Sequence, residues 1–319
     1  MSDNELTYIV CGEALFDVFI EQGVAANATS VPLAAKVGGS PFNVAIGLAR
    51  LDRKSALLAG VSTDFLGDRL VSVLESEQVS IDYIARKDAP TTLALINVDE
   101  QGVPSYAFYG AGAADRALLA EDVAINPDGM TAIHLGSYSI VAQPTADSLL
   151  DLVQRCSGKC LISLDPNIRP VVEPDMQVWR ERLDQLVPLV DMIKVSDEDL
   201  EALYPDRKPE AVTAAWLKAG AKLVVLTRGG DGASMWSQHG HADISTPEVE
   251  VVDTVGAGDT FQAALLDSVG NLYQKNPDSW SDALDGAQLA TIGIFAAAAA
   301  AITCSRSGAD LPRRDEIIL

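Results

Sequence analysis

Asp259 closes the string Gly256-Ala257-Gly258-Asp259 within the run Asp253–Leu266, DTVGAGDTFQAALL, where the residue types come nearest to a reaction centre. The valines up to Val252 read as the end of a strand, and Phe261 to Leu266 have helix-forming character, so the glycines are expected at a strand-to-helix turn. Backbone N–H groups at a helix start bind anions, and glycines let a phosphate approach the backbone closely. Asp259 would then hold a carboxylate beside an anion site. Two roles stay open for it: a cap of the helix N-terminus, or a base that deprotonates an incoming hydroxyl during phosphoryl transfer. A dinucleotide fingerprint fits poorly, because Phe261 stands where its third glycine belongs, and no Gly-Lys-Ser/Thr supplies a Walker loop.

A second group lies towards the N-terminus. Gly38-Gly39-Ser40-Pro41-Phe42-Asn43 is a glycine pair followed by a polar residue on the next helical turn. Glycines admit a ligand hydroxyl close to the backbone, and Asn43 both donates and accepts hydrogen bonds. The same string also reads as a plain helix entrance. Upstream, Gly12-Glu13-Ala14-Leu15-Phe16-Asp17 follows a strand end, where open α/β sheets hold ligands, although Asp17 also suits a turn. Asp165-Pro166-Asn167-Ile168-Arg169 follows another apolar strand; either Asp165 and Arg169 pair, or Arg169 meets substrate or phosphate. Thr227-Arg-Gly-Gly-Asp-Gly232 has the composition of a hairpin turn. His239 with His241, and Cys156 with Cys160, lack the further ligands that a metal site needs.

The elements that must position these residues alternate. Tyr8–Cys11, Ser55–Gly60, Ile133–Leu135, Cys160–Leu164, Met192–Val195 and Leu223–Thr227 are short apolar runs of the kind buried in parallel sheets. Helical stretches lie between them, among them Asn43–Leu51 and Asp68–Gln78, the first entered through Pro41. The alternation predicts an α/β fold with a largely parallel sheet between helices. Thr91–Val98 and Ser105–Tyr109, joined by the turn-like Asp99–Gly102, break the rhythm as a hairpin. With Phe16–Glu21 they are expected to form a small β-sheet standing off the core. No linker, repeat or low-complexity segment divides residues 1–319, so a one-domain body is expected.

Composition narrows the partners. The net charge of −22, from 23 basic and 45 acidic residues, repels nucleic acid and anionic membrane, so neither is an expected partner. It repels ATP equally, so a nucleotide site here has to be locally positive or metal-assisted. Four scattered cysteines make no disulfide framework, and Met1–Glu5 carries no basic lead into an apolar run; a cytoplasmic setting is expected. The apolar stretch Ile292–Ile302 is Ala-rich and short for a membrane span, and reads as a buried helix.

Taken together, Gly38–Asp52 and Asp253–Leu266 resemble the paired signatures of the ribokinase-like (PfkB) carbohydrate kinase family, in order and spacing, and the likeness covers essentially the whole chain. The resemblance implies a Rossmann-like three-layer α/β/α core with a β-sheet lid, here about residues 14–36 and 90–112. It implies ATP as donor, Mg²⁺ as the metal and a sugar as acceptor. On the matching positions, Asp259 is the base, the backbone of Gly256, Ala257 and Gly258 is the anion hole, and Asp17, Gly38, Gly39, Asn43, Phe108 and Arg169 face the sugar. Lys194, Ser196, Thr227, Gly229 and Gly232, with Gly256 and Gly258, belong to the nucleotide side. Ser196 and Asp199 stand where the family has N-x-x-E, so Asp199, or its neighbour Glu198, would act on Mg²⁺ through water. Ser305-Arg-Ser-Gly308-Ala309 falls where members bind adenine and, with Asp253, a monovalent cation such as K⁺.

Within the family the chain looks most like the bacterial fructokinases, on GEALFD, GGSPFNVAIGLARLD, FYGAGAADR, SLDPNIRP and KVSDEDL. The nearest competitor is 2-keto-3-deoxygluconate kinase, whose acidic substrate calls for a lid arginine where this chain has Tyr109 between Phe108 and Gly110. A silent sugar-binding protein on the same fold is the alternative of another class. The exposed lid also offers an edge for a homodimer.

Overall fold

The structure is a computed structural model that describes residues 7–21, 23, 28–98 and 104–319. The chain begins with β1 (Thr7–Cys11), β2 (Leu15–Ile20), β3 (Leu33–Gly38), α1 (Ser40–Arg50), β4 (Ser55–Ser62), α2 (Phe65–Ser76) and β5 (Ile84–Lys87). There follow β6 (Leu93–Val98), β7 (Pro104–Tyr109), β8 (Met130–Gly136), α3 (Thr145–Cys156), β9 (Leu161–Asp165), α4 (Met176–Leu186) and β10 (Met192–Ser196). The last third comprises α5 (Asp197–Leu203), α6 (Pro209–Ala219), β11 (Leu223–Thr227), β12 (Ala233–Ser237), β13 (His241–Ile244), α7 (Ala257–Lys275) and α8 (Gly286–Cys304).

Among the described residues the strands form two sheets. The larger has nine, ordered β13-β12-β11-β10-β9-β8-β1-β4-β5, and only the β11–β12 and β12–β13 pairings are antiparallel. Both its faces are covered, which is why its strands read as unbroken apolar runs rather than alternating ones. Tyr8 and Val10 of β1 join a core beneath α1, α2, α7 and α8, while Ile9 and Cys11 join the opposite core beneath α3 to α6. The expected three-layer α/β/α order is therefore present. The smaller sheet, β3-β2-β6-β7, contains the expected β6–β7 hairpin in the register Leu93↔Tyr109. Its turn, Asp99–Gly102, lies outside the described residues.

Three local expectations need correction. Helix α1 starts at Ser40 rather than Asn43, because Gly39 (φ 108°) breaks the strand and Pro41 suits the first turn. Helix α2 runs from Phe65, three residues earlier than expected, because the Asp64 carboxylate caps it by accepting from Gly67 N–H at 2.7 Å. The valines before Asp253 form no strand. Val251 and Val252 are exposed, and the N–H groups of Val252 and Asp253 donate to the carbonyl of Cys304 at the end of α8. β-Branched residues promised a strand there, but β13 already closes that edge of the sheet. Helix α8 extends beyond the apolar run and, at 19 residues, is long and apolar enough for a bilayer. Here it packs on protein: Gly293 sits against Ile244 and Met235, too close for any side chain.

Candidate active site

Strand order reverses between β1 and β8: β1 continues to β4 on one side, and β8 leads through β9, β10 and β11 on the other. Loops leaving the C-terminal ends of strands at such a switch point form a crevice in which α/β proteins bind ligands. Asp165 ends β9, Ser196 ends β10 and Thr227 ends β11, and the latter two are register partners. The N-terminus of α7 meets this edge beside the β9 and β10 ends.

Gly256 caps α7 in the left-handed conformation (φ 79°), and a Cβ on it would sit 2.6 Å from that of Ala309. Conformation and space both demand glycine. Of the amides expected in the anion hole, that of Ala257 already donates to the Thr254 carbonyl at 3.2 Å. Those of Gly256 and Gly258 meet no backbone acceptor among the described residues and stay free for an anion, as does the Asp259 amide, which was not among those expected.

Asp259 does not cap its helix. One carboxylate oxygen accepts from Ser40 Oγ at 2.6 Å and the other from Asn43 Nδ2 at 2.8 Å, both on α1. Ser40 is a site residue that sequence reading passed over, although it lies inside the quoted GGSPFN string. Burial pushes the Asp259 carboxyl up; the bonds from Ser40 and Asn43, and the positive fields of Arg169 and Lys194, pull the other way.

Asp17 faces the same space from β2. Burial raises it to about 6, Arg169 lowers it and Asp259 raises it, so these three charges share one electrostatic neighbourhood. The glycine pair is explained by the chain's own packing. A Cβ on Gly38 would overlap Asp17 Oδ2, and one on Gly39 would lie 2.7 Å from the Glu13 carbonyl. Buried Glu13 itself accepts from Ser139 Oγ at 2.5 Å, and burial raises it to about 7. Phe108, on the small sheet, meets Tyr138 edge-on with ring centres 6.1 Å apart.

Asp165 and Arg169 do not pair. Asp165 bonds instead to Lys194 at 2.8 Å in a nearly solvent-free contact, and Arg169 donates to the carbonyls of Asn167 and Ile168. Lys194 Nζ lies 3.9 Å from the place a Cβ would take on Gly258, so its charge sits beneath the helix N-terminus. The other oxygen of Asp165 is buried without a hydrogen-bond partner among the described residues. Ser196 caps α5 by accepting from Asp199 N–H at 3.0 Å. The Asp199 carboxylate turns inward and accepts from Ile168 N–H at 2.9 Å, whereas Glu198 is exposed. Burial and then the neighbouring Asp165 raise the Asp199 carboxyl.

Such a donor set suits Mg²⁺. That ion keeps most of its waters and substrate phosphates and borrows one or two carboxylates. The orphaned oxygen of Asp165 and the inward carboxylate of Asp199 supply that much, and no cluster of three or more His, Cys, Asp or Glu suited to a metal occurs among the described residues.

Thr227, Gly229 and Gly232 form the β11–β12 hairpin, closed by Arg228 N–H on the Gly232 carbonyl at 2.8 Å. They lie at the sheet edge beyond Ser196, away from the Asp259 carboxylate. Asp253 ties the segment before α7 to the C-terminal loop, accepting from Val255 N–H at 3.1 Å and Gly308 N–H at 2.8 Å. Beneath the centre, Gln262 donates to Ser163 Oγ at 2.9 Å, which also meets His134 Nδ1 at 3.1 Å. Burial holds that histidine neutral, its value lowered to about 3. A glutamine three residues after Asp259 in an otherwise apolar helix face was the signal for this support. His239 and His241 stand apart on the surface beside Asp282 and Asp243.

Comparison with known proteins gives the family and the fold. The model of the pfkB family carbohydrate kinases matches residues 10–316. The chain is 36% identical over 261 residues to a fructokinase of Rhizobium leguminosarum bv. trifolii, covering 82% of this chain and 79% of that protein. It is 30% identical over 277 residues to fructokinase-2 of Solanum habrochaites, covering 85% and 82%. A crystal structure of a fructokinase from Xylella fastidiosa with bound ATP superposes with a TM-score of 0.87, at 25% identity and over 98% and 97% of the two chains.

Proposed function

This chain belongs to the pfkB family of carbohydrate kinases and is an ATP-dependent sugar kinase, and on that premise we propose that it transfers the γ-phosphoryl group of ATP to D-fructose, giving fructose 6-phosphate. The observation that carries the mechanism is the Asp259 carboxylate, held at both oxygens by Ser40 and Asn43 beside three free amides. A carboxylate fixed in this way keeps a lone pair for an incoming hydroxyl.

The primary hydroxyl of the sugar gives its proton to Asp259 as its oxygen bonds to the γ-phosphorus, and the bond from that phosphorus to the bridging oxygen of ADP breaks. Charge on the phosphoryl oxygens is met by the amides of Gly256 and Gly258 and by the field of Lys194. Arg169, near Asp17 and Asp259, orients the sugar and offsets the carboxylates around it. Asp17 and Asn43 bind hydroxyls, and the Phe108 ring closes the far side. Asp199 and Asp165 would hold Mg²⁺ through water, and the ion would supply charge neutralisation on the nucleotide phosphates. Thr227, Gly229 and Gly232 border the nucleotide. A monovalent cation beside Asp253 would brace the anion hole, and K⁺ replacement by a bulky organic cation should then lower turnover.

Residues 1–319 are read as one kinase unit whose small sheet is the lid, acting in the cytoplasm where ATP is available. Closing the lid excludes water, the competing acceptor. Two copies would pair through the lid, whose edge strand β7 exposes Tyr106 and Tyr109; sedimentation of a Tyr106→Glu variant as a monomer, against a wild-type dimer, is the check.

Fructose is favoured over an acidic sugar because the neutral Tyr109 stands where an acidic substrate calls for a lid arginine. A coupled assay with ATP, Mg²⁺ and a sugar panel including fructose and 2-keto-3-deoxygluconate decides between them. Preference for the acidic sugar would overturn the assignment, and no turnover on any sugar would leave a binding protein.

A further inference from the structure

Lys36 of β3 stands opposite Asp17 of β2 in the antiparallel register, so both side chains rise from the same face of the lid. The row continues through Ala94 to Phe108, so it is the face turned to the active site. Phe19 lies two residues beyond Asp17 on that face, and the Lys36 ammonium stands 5.3 Å from the centre of its ring. From there it spans the gap to the C-terminal loop, where Nζ comes 3.3 Å from the point a Cβ would occupy on Gly308. Gly308 anchors Asp253 through its N–H, and Ala309 packs on Gly256. Lys36 therefore reaches from the sugar half of the cleft to the rim of the anion hole.

Its charge meets the Phe19 ring and no carboxylate among the described residues. The other two cations of the centre are engaged, Lys194 by Asp165 and Arg169 by backbone carbonyls. Lys36 makes no ion pair with any described carboxylate, although the chain carries a net charge of −22. A flexible ammonium with no carboxylate partner among the described residues, at the edge of an anion site, fits a partner that arrives with the substrate.

We propose that Lys36 is a catalytic residue of the lid that contacts the phosphoryl group in transfer, tying closure over the sugar to stabilisation of the phosphate. This rests on the kinase reading and adds a role to a residue outside both sequence signatures' assigned positions. Asp17 and Lys36 share one ladder, so seating a sugar on Asp17 fixes the strand that carries Lys36. Water does not engage Asp17, so it gains less from the ammonium than the proper acceptor does. Negative charge on the equatorial oxygens in transfer is what the ammonium meets.

The test compares wild type with Lys36→Met and Lys36→Arg, using fructose and ATP-Mg²⁺, and titrates each protein with ADP-Mg²⁺ plus fluoroaluminate in the presence of fructose. Lys36→Met should lower kcat roughly 10- to 100-fold, a smaller loss than for a buried oxyanion donor because the ammonium is solvated. KM for fructose and the melting temperature should hold, while affinity for the fluoroaluminate complex drops in parallel with kcat and affinity for ADP alone holds. Lys36→Arg should recover most of both losses. Unchanged kcat and unchanged fluoroaluminate affinity in Lys36→Met would overturn the proposal, as would a rise in the KM for fructose alone. If wild type phosphorylates nothing, the kinase reading fails; the fluoroaluminate titration needs no turnover and still decides Lys36.

Discussion

Asn43 Nδ2 donates to Asp259 Oδ2 at 2.8 Å, joining the first turns of two helices that lie 216 residues apart in sequence. The contact fuses the two signature segments into one site. It also removes the capping role from Asp259, whose oxygens face α1 rather than the amides of its own helix. The structure brings a carboxylate that is not a cap to the helix start.

Replacing the carboxylate should therefore separate binding from turnover. Asp259→Asn keeps the size and one accepting oxygen for Asn43, turns the other into an NH2 that can donate to Ser40 Oγ, and cannot take a proton, so kcat should fall about 10²- to 10⁴-fold. Fructose affinity, measured by calorimetry without ATP, should change little. Near-normal turnover would reduce Asp259 to a structural residue.

Ser40 should set the acid limb of the pH profile. Burial raises the Asp259 carboxyl, and the bond from Ser40 is the largest influence lowering it. The active form is the carboxylate, so activity exists above this pKa and is lost as pH falls through it. Ser40→Ala removes a bond that favours the charged form, and the acid limb of kcat/KM should move to higher pH. A limb that stays in place would mean that another group controls it.

Glu13 couples stability to pH. Burial raises its folded value to about 7 from an ordinary 4.5, so the folded state holds a proton that the unfolded chain releases. That stabilisation is complete below the unfolded value and is lost as pH rises through the folded one. Linkage puts its size at about 3 kcal/mol. Between pH 4.5 and pH 7.5 the wild type should lose stability that Glu13→Gln retains, seen as a flatter pH dependence of urea midpoints. Parallel curves would refute the linkage.

How much of this was legible depends on the kind of signal. The parallel core was legible because strands covered on both faces must be continuously apolar, and Tyr8–Cys11 and Leu223–Thr227 are. The two halves of the site were legible because Gly256 and Gly39 mark helix starts that only glycine allows. What sequence could not supply was partnership. Asp165 and Arg169, four residues apart, left a pair open as one of two readings, and the register of β9 with β10 brings Lys194 to Asp165 instead. Ser196, expected on the nucleotide side, also caps α5 by accepting from Asp199 N–H, a partner that its type alone did not reveal. Val251 and Val252 looked like a strand, because intrinsic preference says nothing of whether a neighbouring strand exists.

The Asp165–Lys194 pair supplies the last prediction. Both side chains are almost fully buried, so neither can shed its charge into water. Removing one partner strands the other, at a cost on the order of 3–5 kcal/mol, whereas removing both charges costs far less. Lys194→Met alone should therefore destabilise the protein strongly, and Lys194→Met with Asp165→Asn should recover much of the loss in urea unfolding. Turnover should not recover, because the double variant still lacks the cation beneath Gly258 and the carboxylate beside Asp199. Stability restored without activity is the signature of a pair that serves the phosphate rather than the fold. Activity restored along with stability would make the pair structural only.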